Sequence, residues 1–167
     1  MSKADRRNDP PHGGRHDQLH QERVHDPYKS KAKLREPTVC PECGAVYHSG
    51  RWQWGHRPKD AAVHSCPACR RVRDKVPAGY LRLTGDFLRQ HRDEIVHLIR
   101  NHESDEKAQH PLNRIMDVVE DEQGVLITFT DQRIARASGE AVHRAYQGEL
   151  NAAYTPEGNV IEVTWKR

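Results

Sequence analysis

The chain has 167 residues, of which 35% are apolar and 31% are charged, and its mean hydropathy is -0.97. This composition supports one modest core beside a small second module, and it excludes two cores of ordinary size. No segment approaches the roughly 20 apolar residues of a membrane span, and the first residues lack the apolar core of a signal peptide, so we expect a cytoplasmic protein.

The net charge of +3 is unevenly distributed along the chain. Residues 1–39 carry 9 basic and 6 acidic side chains, residues 40–83 carry 8 and 3, and residues 84–167 carry 10 and 15. The basic middle segment indicates contact with a polyanion, whereas the acidic C-terminal segment indicates another role, for which we expect contact with a protein partner.

Residues 1–36 are predicted to form a disordered basic arm. They contain Pro10-Pro11, Gly13-Gly14, many charges and almost no large apolar side chains, so they offer no face that could pack. Four histidines recur at intervals of four and five: His12, His16, His20 and His25. They could bind a metal adventitiously on a transient helix, but a solvated polar tail is the plainer interpretation.

Residues 37–77 contain all four cysteines, as two Cys-Pro-x-Cys units separated by 22 residues. Such pairs are typical of thiolate metal ligands in a reducing compartment, where disulfides are rare. Each unit can turn as a knuckle, and two knuckles complete a tetrahedral sulfur site. We therefore predict a zinc ribbon with one structural Zn²⁺, held by Cys40, Cys43, Cys66 and Cys69. Iron is chemically possible at the same site.

The predicted site leaves no open coordination position, so its ion would not activate water as a catalytic ion does. Three histidines lie in the same segment, His48, His56 and His64, but four sulfurs suffice without them. The sequence contains no Gly-rich phosphate loop, nucleophile elbow or His-Glu-x-x-His helix. The pairs His91/Glu94 and Glu140/His143 are of a kind that helix surfaces routinely carry. We expect a protein that is not an enzyme.

The ribbon segment also carries two clusters of basic residues, one around a pair of tryptophans and one after the second Cys-Pro-x-Cys unit. The candidate RNA contacts are Arg51, Trp52, Trp54, Arg57, Lys59, Arg70, Arg71, Arg73 and Lys75. On a strand the two tryptophans would share a face, where they could stack on bases while arginine and lysine contact phosphates. Alternatively, the tryptophans pack against the C-terminal domain and the basic residues form a solvated surface.

Residues 78–167 are predicted to form an α+β domain. The predicted elements are a helix from about Asp86 to about His102, an extended segment at 112–120, a strand at 125–130, a helix at 131–147 and strands at 150–154 and 160–165. Thr84 or Asp86 would cap the first helix. This α-β-β-α-β-β order predicts a small antiparallel sheet with both helices on one face.

Residues from about 37 to 165 resemble the N-terminal half of the large-ribosomal-subunit export adapter family, the archaeal and eukaryotic Nmd-three proteins. The resemblance rests on the Cys-x-x-Cys pairs, the segments 112–115 and 124–131, and Ile134-Ala135-Arg136. It implies binding to a ribosomal subunit through the ribbon, with the four cysteines as metal ligands and no catalytic residue. Those relatives contain further cysteine pairs that this sequence does not show, so nuclear export is not implied.

A closer likeness is to a family of short bacterial zinc-ribbon proteins of uncharacterised function. It rests on four runs of sequence, at residues 40–47, 50–54, 111–115 and 143–150. The RNA contacts proposed above come from the residue types and not from either family.

Two main functions of different class follow from the sequence, and a third, a metal-dependent regulator or redox protein, would show itself by a coloured iron form. The first is an RNA-binding, ribosome-associated protein that grips phosphates with its ribbon and basic arm and contacts protein with its acidic domain. The second is a protein-interaction or dimerisation module, in which the zinc ribbon is purely structural and exposed strands pair with a partner.

Overall fold

The structure is a computed structural model that describes residues 23–30 and 32–167. Over these ranges it contains nine strands and three helices: β1 (Thr38–Val39), β2 (Val46–His48), β3 (Arg51–Gln53), β4 (Ala62–Val63), α1 (Pro67–Asp74), β5 (Gly79–Thr84), α2 (Asp86–Gln109), β6 (Ile115–Asp121), β7 (Gly124–Phe129), α3 (Gln132–Tyr146), β8 (Glu149–Tyr154) and β9 (Ile161–Lys166). The predicted α+β class is confirmed. No helix in the described ranges is long and apolar enough to cross a membrane. The arm histidines His12, His16 and His20 lie outside these ranges.

Strands β1 to β4 form the sheet of the cysteine-containing segment, in the order β3-β2-β1-β4. Strand β1 pairs antiparallel with β2 and parallel with β4, so Val39 lies opposite Val46 on one side and Val63 on the other. Gly44 and Gly50 make the turns on either side of β2, at positive φ values of 78° and 76° that favour glycine. These strands are only two or three residues long, and a sheet this small cannot be stable through its apolar core alone.

Helix α1 begins within the second Cys-Pro-x-Cys unit and was not predicted. Cys66 occupies the N-cap position and Pro67 the first turn, which suits proline because the first turn has unpaired N–H groups in any case. The helix ends at Lys75, whose backbone is left-handed with φ 56°. The sequence therefore contains the residues of a helix N-terminus, but these residues were interpreted only as part of the metal-ligand motif.

Strands β5 to β9 form a second, mixed sheet in the order β6-β7-β5-β9-β8. Strand β5 pairs parallel with β9, whereas the other pairs are antiparallel. The predicted α-β-β-α-β-β order therefore lacked β5, and the predicted all-antiparallel sheet was wrong. The chain crosses over through α3 and β8 before β9 returns beside β5, and this crossover allows the two strands to run in the same direction.

The main core lies between this sheet and helices α2 and α3, which pack on the same face. Residues alternate between buried and partly exposed along β5 and β7, and between buried and exposed along β9. The fully buried members from these strands include Leu81, Leu83, Ile127, Phe129, Ile161 and Trp165. Helix α3 approaches the sheet closely through small residues: a Cβ at Gly139 would lie 2.7 Å from a methyl group of Val163.

The first turn of α2 is capped differently from the prediction. Neither Thr84 nor Asp86 acts as a side-chain cap, because Gly85 occupies the N-cap position. The backbone N–H of Phe87 instead donates to the carbonyl of Arg167 at 2.9 Å. A contact between residues 80 positions apart takes the role that a local side chain was expected to fill.

Helix α2 also runs past the predicted end at His102 to Gln109. Its last two turns are polar, so apolar periodicity gave no reason to extend the helix. Tertiary hydrogen bonds hold them: Glu103 accepts from the backbone N–H of Ile115 at 3.3 Å, and Glu106 accepts from the amide of Asn113 at 3.2 Å.

Residues 23–30, at the end of the predicted arm, lie against the folded part of the chain. Asp26 and Tyr28 are buried. The backbone N–H groups of Arg23 and Val24 donate to the carbonyl of Glu157 in the turn between β8 and β9, at 2.9 and 3.0 Å. Packed structure therefore begins N-terminal to the predicted boundary at residue 37, because these residues find a partner in α1.

Candidate metal centre

The four cysteines converge on one point. Each offers a sulfur, and the four Sγ atoms all lie within 4.8 Å of one another. The Sγ atoms of Cys43 and Cys66 are 3.8 Å apart, and all four thiols are free. Four sulfurs at about 2.3 Å from a tetrahedral zinc are about 3.8 Å from each other, so the arrangement fits that ion. The chain thus has one four-cysteine group able to hold a single metal ion, with zinc as the usual occupant of such a donor set.

The first knuckle follows strand β1. The backbone N–H of Cys40 donates to the carbonyl of Ala45 at 2.8 Å, and the N–H of Gly44 donates to the carbonyl of Cys40 at 2.9 Å. These two bonds close the turn that aims Cys40 and Cys43 in the same direction. Glu42 accepts from the hydroxyl of Ser65 at 2.6 Å, which connects this knuckle to the residue before the second one.

The second knuckle is built on the first turn of α1. The Sγ atom of Cys66 accepts the backbone N–H of Cys69 at 3.4 Å, while the N–H of Cys66 donates to Sγ of Cys40 at 3.3 Å. Backbone N–H donors and the positive end of a helix both favour the deprotonated sulfur that a metal requires. The two knuckles are therefore hydrogen-bonded to each other as well as directed at one point.

A fifth residue contacts the cluster, and it comes from the α+β domain. The guanidinium of Arg114 places Nη1 3.3 Å from Sγ of Cys69 and Nη2 3.8 Å from Sγ of Cys66. Its Nε donates to the carbonyl of Pro111 at 2.6 Å, which fixes the plane of the group. No sequence pattern pointed to this contact, since Arg114 is 45 residues from Cys69.

Burial and charge set the protonation of the thiols. Burial raises the pKa of Cys40 to about 11 and also raises that of Cys66, which the neighbouring thiols raise further. For Cys43 burial is opposed by the backbone N–H of Ala45 and the guanidinium of Arg114, which together lower its pKa to about 7. Burial thus disfavours the thiolate forms of Cys40 and Cys66, and a bound divalent ion would supply the charge that opposes this effect.

The two tryptophans that were candidate RNA contacts lie in different environments. Trp52 packs against the cysteine cluster and meets the ring of Tyr47 edge-on, with centroids 5.6 Å apart. Trp54 lies beyond the end of β3 and is 38% exposed, and its indole N–H donates to the carbonyl of Lys107 in α2 at 2.6 Å. The predicted face with both rings side by side on a strand is not formed, because the strand ends at Gln53.

Arg71 does not belong to an exposed basic surface. It is only 4% exposed, forms an ion pair with the buried Asp26, and donates Nη1 to the carbonyl of Val76 at 3.0 Å. Its guanidinium lies 4.4 Å from the centre of the Tyr28 ring. The side chain of Asp26 also accepts the backbone N–H of Tyr28 at 3.0 Å, which forms a turn at this carboxylate.

The neighbours of Arg71 are more accessible but not free. Arg70 is half-buried, with its guanidinium 5.3 Å from the centre of the Tyr28 ring. Arg73 is exposed and lies 3.6 Å from a carboxylate oxygen of Glu42 and 3.4 Å from one of Asp74. The second basic cluster is therefore partly neutralised within the protein.

The remaining predicted cations lie at the surface. Arg51, Arg57, Lys59 and Lys75 are all exposed. Across residues 23–30 and 32–167, none of these four forms an ion pair. The structure places three of them on or just after β3, in the segment that leads to β4.

The histidines that were weighed as ligands or acid-base groups lie away from the cysteines. His48 lies 3.8 Å from Glu36, and neither His56 nor His64 joins the cysteine group. His91 stacks on Phe87 with ring centroids 4.1 Å apart. The metal-ligand set is therefore the four sulfurs, as the sequence predicts.

Comparison of the chain with protein-family models, with curated proteins and with solved structures finds no match. Its functional description rests on its own geometry, which is that of a protein with a four-cysteine metal centre on a small sheet beside an α+β domain.

Proposed function

We propose that this is a non-enzymatic, cytoplasmic zinc-ribbon protein that binds RNA through its ribbon, with a ribosomal subunit as the source of that RNA. One observation carries the proposal: Arg51, Arg57, Lys59 and Lys75 are exposed and no carboxylate in the described part of the chain pairs with them. A cation paired within the protein gains little from a phosphate, whereas an unpaired one releases counterions when it binds.

The scaffold beneath these cations supports the same interpretation. The cysteine knuckles hold both ends of the segment from β3 to β4, so a bound metal would fix the cations relative to one another. Trp54 adds a partly exposed ring in a fixed orientation, because its indole N–H is bonded to Lys107. A fixed ring next to phosphate-binding cations is a common platform for stacking on a single-stranded base.

The charge of the rest of the molecule favours approach of RNA from one side. The segment 84–167 carries 10 basic and 15 acidic side chains and repels a polyanion. RNA would therefore approach the ribbon side, which leaves the acidic domain for a protein partner. The ribosome enters the proposal through the resemblance of residues 37–165 to the export adapter family.

The experiment compares two triple variants of equal charge change. In the first, Arg51, Arg57 and Lys59 are changed to Gln; in the control, the exposed Arg89, Arg100 and Arg144 of the α+β domain are changed to Gln. Binding to purified ribosomal subunits is measured by sucrose-gradient sedimentation and by titration at salt concentrations between about 50 and 200 mM.

We expect co-sedimentation of the unmodified protein at low salt and release at high salt. The first triple variant should reduce the slope of log affinity against log salt by about 2, at roughly 0.7 to 0.9 for each lost cation, while the control keeps the slope. Equal slopes for all three proteins would refute the proposed contact surface, and absence of co-sedimentation at low salt would refute ribosome binding.

A protein-interaction module is the second candidate, and the edges of the second sheet favour it. Strands β6 and β8 are the outer strands, most residues of β8 are exposed, and Val119 on β6 is 46% exposed. Unpaired strand edges can accept a strand from a partner. Light scattering during size-exclusion chromatography separates the candidates, since an RNA-free dimer that ignores ribosomal subunits is expected only for this one.

A further inference from the structure

The loop between α2 and β6 reaches into the metal centre, although it belongs to the α+β domain. Arg114 in this loop directs two nitrogens of its guanidinium at the second knuckle, 3.3 Å from Cys69 and 3.8 Å from Cys66. Leu112 packs against the same cluster. Among the described residues, Arg114 is the one cation from outside the cysteine-containing segment that contacts these sulfurs.

The charge of a loaded site makes this contact important. Four thiolates and one Zn²⁺ carry a net charge of -2, and three of the four cysteines are buried. Buried charge is costly unless it is paired and hydrogen-bonded. The arginines of α1 have other partners: Arg71 pairs with Asp26, Arg73 lies beside Glu42 and Asp74, and Arg70 lies over the ring of Tyr28. Arg114 is therefore the cation that halves the net charge of the cluster.

Hydrogen bonds within the α+β domain hold the guanidinium of Arg114 in place. Its Nε donates to the carbonyl of Pro111 at 2.6 Å, and its backbone N–H donates to the hydroxyl of Thr130 at 3.0 Å. That hydroxyl in turn donates to the carbonyl of Leu112 at 2.6 Å. Thr130 directly follows β7, so the second sheet helps to fix the position of Arg114 beside the ribbon.

We infer that Arg114 is a positioning residue for the metal centre, and that it couples metal binding to docking of the ribbon on the α+β domain. With metal bound, the thiolates attract the guanidinium and the ribbon is held against the loop. Without metal, no ion holds the two knuckles together at one point, so the sulfurs of Cys69 and Cys66 are no longer kept in place beside Arg114 and Leu112. By linkage, a docked ribbon binds metal more tightly by the same factor that metal strengthens docking.

The first test is zinc affinity of the full chain, measured by competition with a chromophoric chelator. We expect Arg114→Gln to weaken zinc binding about 10- to 100-fold, the range found when outer-shell partners of metal ligands are changed. Arg114→Lys should give an intermediate loss, because it keeps the charge but not the two-pronged geometry. Arg100→Gln, on the exposed face of α2, removes the same charge elsewhere and should leave the affinity unchanged.

The second test measures backbone hydrogen exchange with and without zinc, to determine whether metal binding is coupled to docking of the ribbon on the α+β domain. In the unmodified protein, removal of zinc should speed exchange in the loop at 110–114 and at Thr130. In the Arg114→Gln protein this difference should shrink. Zinc affinity equal to that of the unmodified protein in both Arg114 variants would overturn the positioning role. Exchange in the loop that ignores zinc would overturn the coupling, and if Arg114→Gln fails to fold, Arg114→Lys decides both points.

Discussion

A buried ion pair between Arg71 and Asp26 helps to attach the N-terminal segment to the ribbon. The side chains of Arg71 and Asp26 are each 5% exposed, and the ring of Tyr28 covers the guanidinium. The hydroxyl of Tyr28 also donates to Asp74 at 3.0 Å. A buried cation of this kind tolerates the loss of its partner poorly, because its charge stays desolvated without the counterion.

We therefore expect Asp26→Asn to lower the free energy of unfolding by about 3 to 5 kcal/mol, the cost of leaving one member of a buried pair unpaired. The measurement is urea unfolding of the zinc-loaded protein. Glu140→Gln, which breaks the exposed pair with Arg136, is the control and should change stability by no more than about 1 kcal/mol. A loss of that small size for Asp26→Asn as well would show that the pair is solvated in solution.

The metal ligands could be predicted from the sequence and the residues around them could not. Cys40 and Cys43 lie in one local turn, and Cys66 and Cys69 in another, so spacing alone identifies the ligands. Arg71 belongs to an equally clear basic run, but its partner Asp26 is 45 residues away and in a segment without apolar pattern. The spacing of residues along the chain predicts local geometry, but it does not predict which distant side chain contacts them.

Among the secondary-structure elements, β5 and α3 depend on an unusually close approach. A Cβ at Gly79 would lie 2.5 Å from the Cβ of Ala135 and 3.1 Å from a methyl group of Ile161. The Cβ of Ala135 cannot rotate out of the way, because a Cβ has no torsional freedom. The small side chains predicted on one face of α3 are therefore required by the sheet beneath them.

We expect Gly79→Ala to destabilise the protein by about 1 to 3 kcal/mol through overpacking. Ala135→Gly alone should cost about 1 kcal/mol, since glycine is a poor helix former. The double variant should be less destabilised than the two single effects combined, because the second change removes the clash. Thermal unfolding of the four proteins gives the coupling, and strict additivity would contradict the predicted contact.

The turn between β6 and β7 depends on a carboxylate. Asp121 accepts a hydrogen bond from Arg82 on β5 at 2.6 Å and from the backbone N–H groups of Gln123 and Gly124 at 2.9 and 3.2 Å. The bond from Arg82 is the main reason that the pKa of Asp121 is lowered from 3.8. Folding therefore favours the ionised form of this group.

The sign of the pH effect follows from that direction. Because the pKa of the folded state is below that of the unfolded state, the contribution of Asp121 is complete above 3.8 and is lost as the pH falls through the folded value. The unmodified protein should be more stable than Asp121→Asn at about pH 6, with the difference disappearing toward about pH 2. A difference in unfolding free energy that stays constant with pH would contradict the bond. Both proteins lose metal in acid, so only their difference is compared.

For the protein as a whole, the predictions that succeeded concern elements whose causes are local. The turn at Gly124, the strand that follows it and helix α3 each follow from local residue types. Strand β5 was missed because its alternation is short and borders the ribbon, and its parallel pairing with β9 depends on contacts between residues about 80 positions apart. Whether two strands run parallel depends on the connection between them, and that connection is longer than the short segments from which strands are predicted.

Removal of the metal should separate the two parts of the molecule. The second sheet and its helices have a core of fifteen buried apolar residues, whereas the smaller cluster around the sulfurs consists of three cysteines and Ala68. Zinc binding supplies about 10 to 16 kcal/mol to small zinc-finger modules, so the ribbon should not remain folded without it. The α+β domain has sufficient buried surface to remain folded, with a loosened loop at 110–114.

The measurement is amide NMR of the full chain before and after addition of a strong zinc chelator. We expect signals from residues 38–75 to collapse into the range of unfolded chains, while those of β5, β7 and β9 keep their dispersion. Signals from Asp26 and Tyr28 should follow the ribbon, because both side chains contact α1. An unchanged ribbon would show that the metal is not structural. Collapse of the second sheet as well would show that the α+β domain cannot fold without the ribbon docked on it.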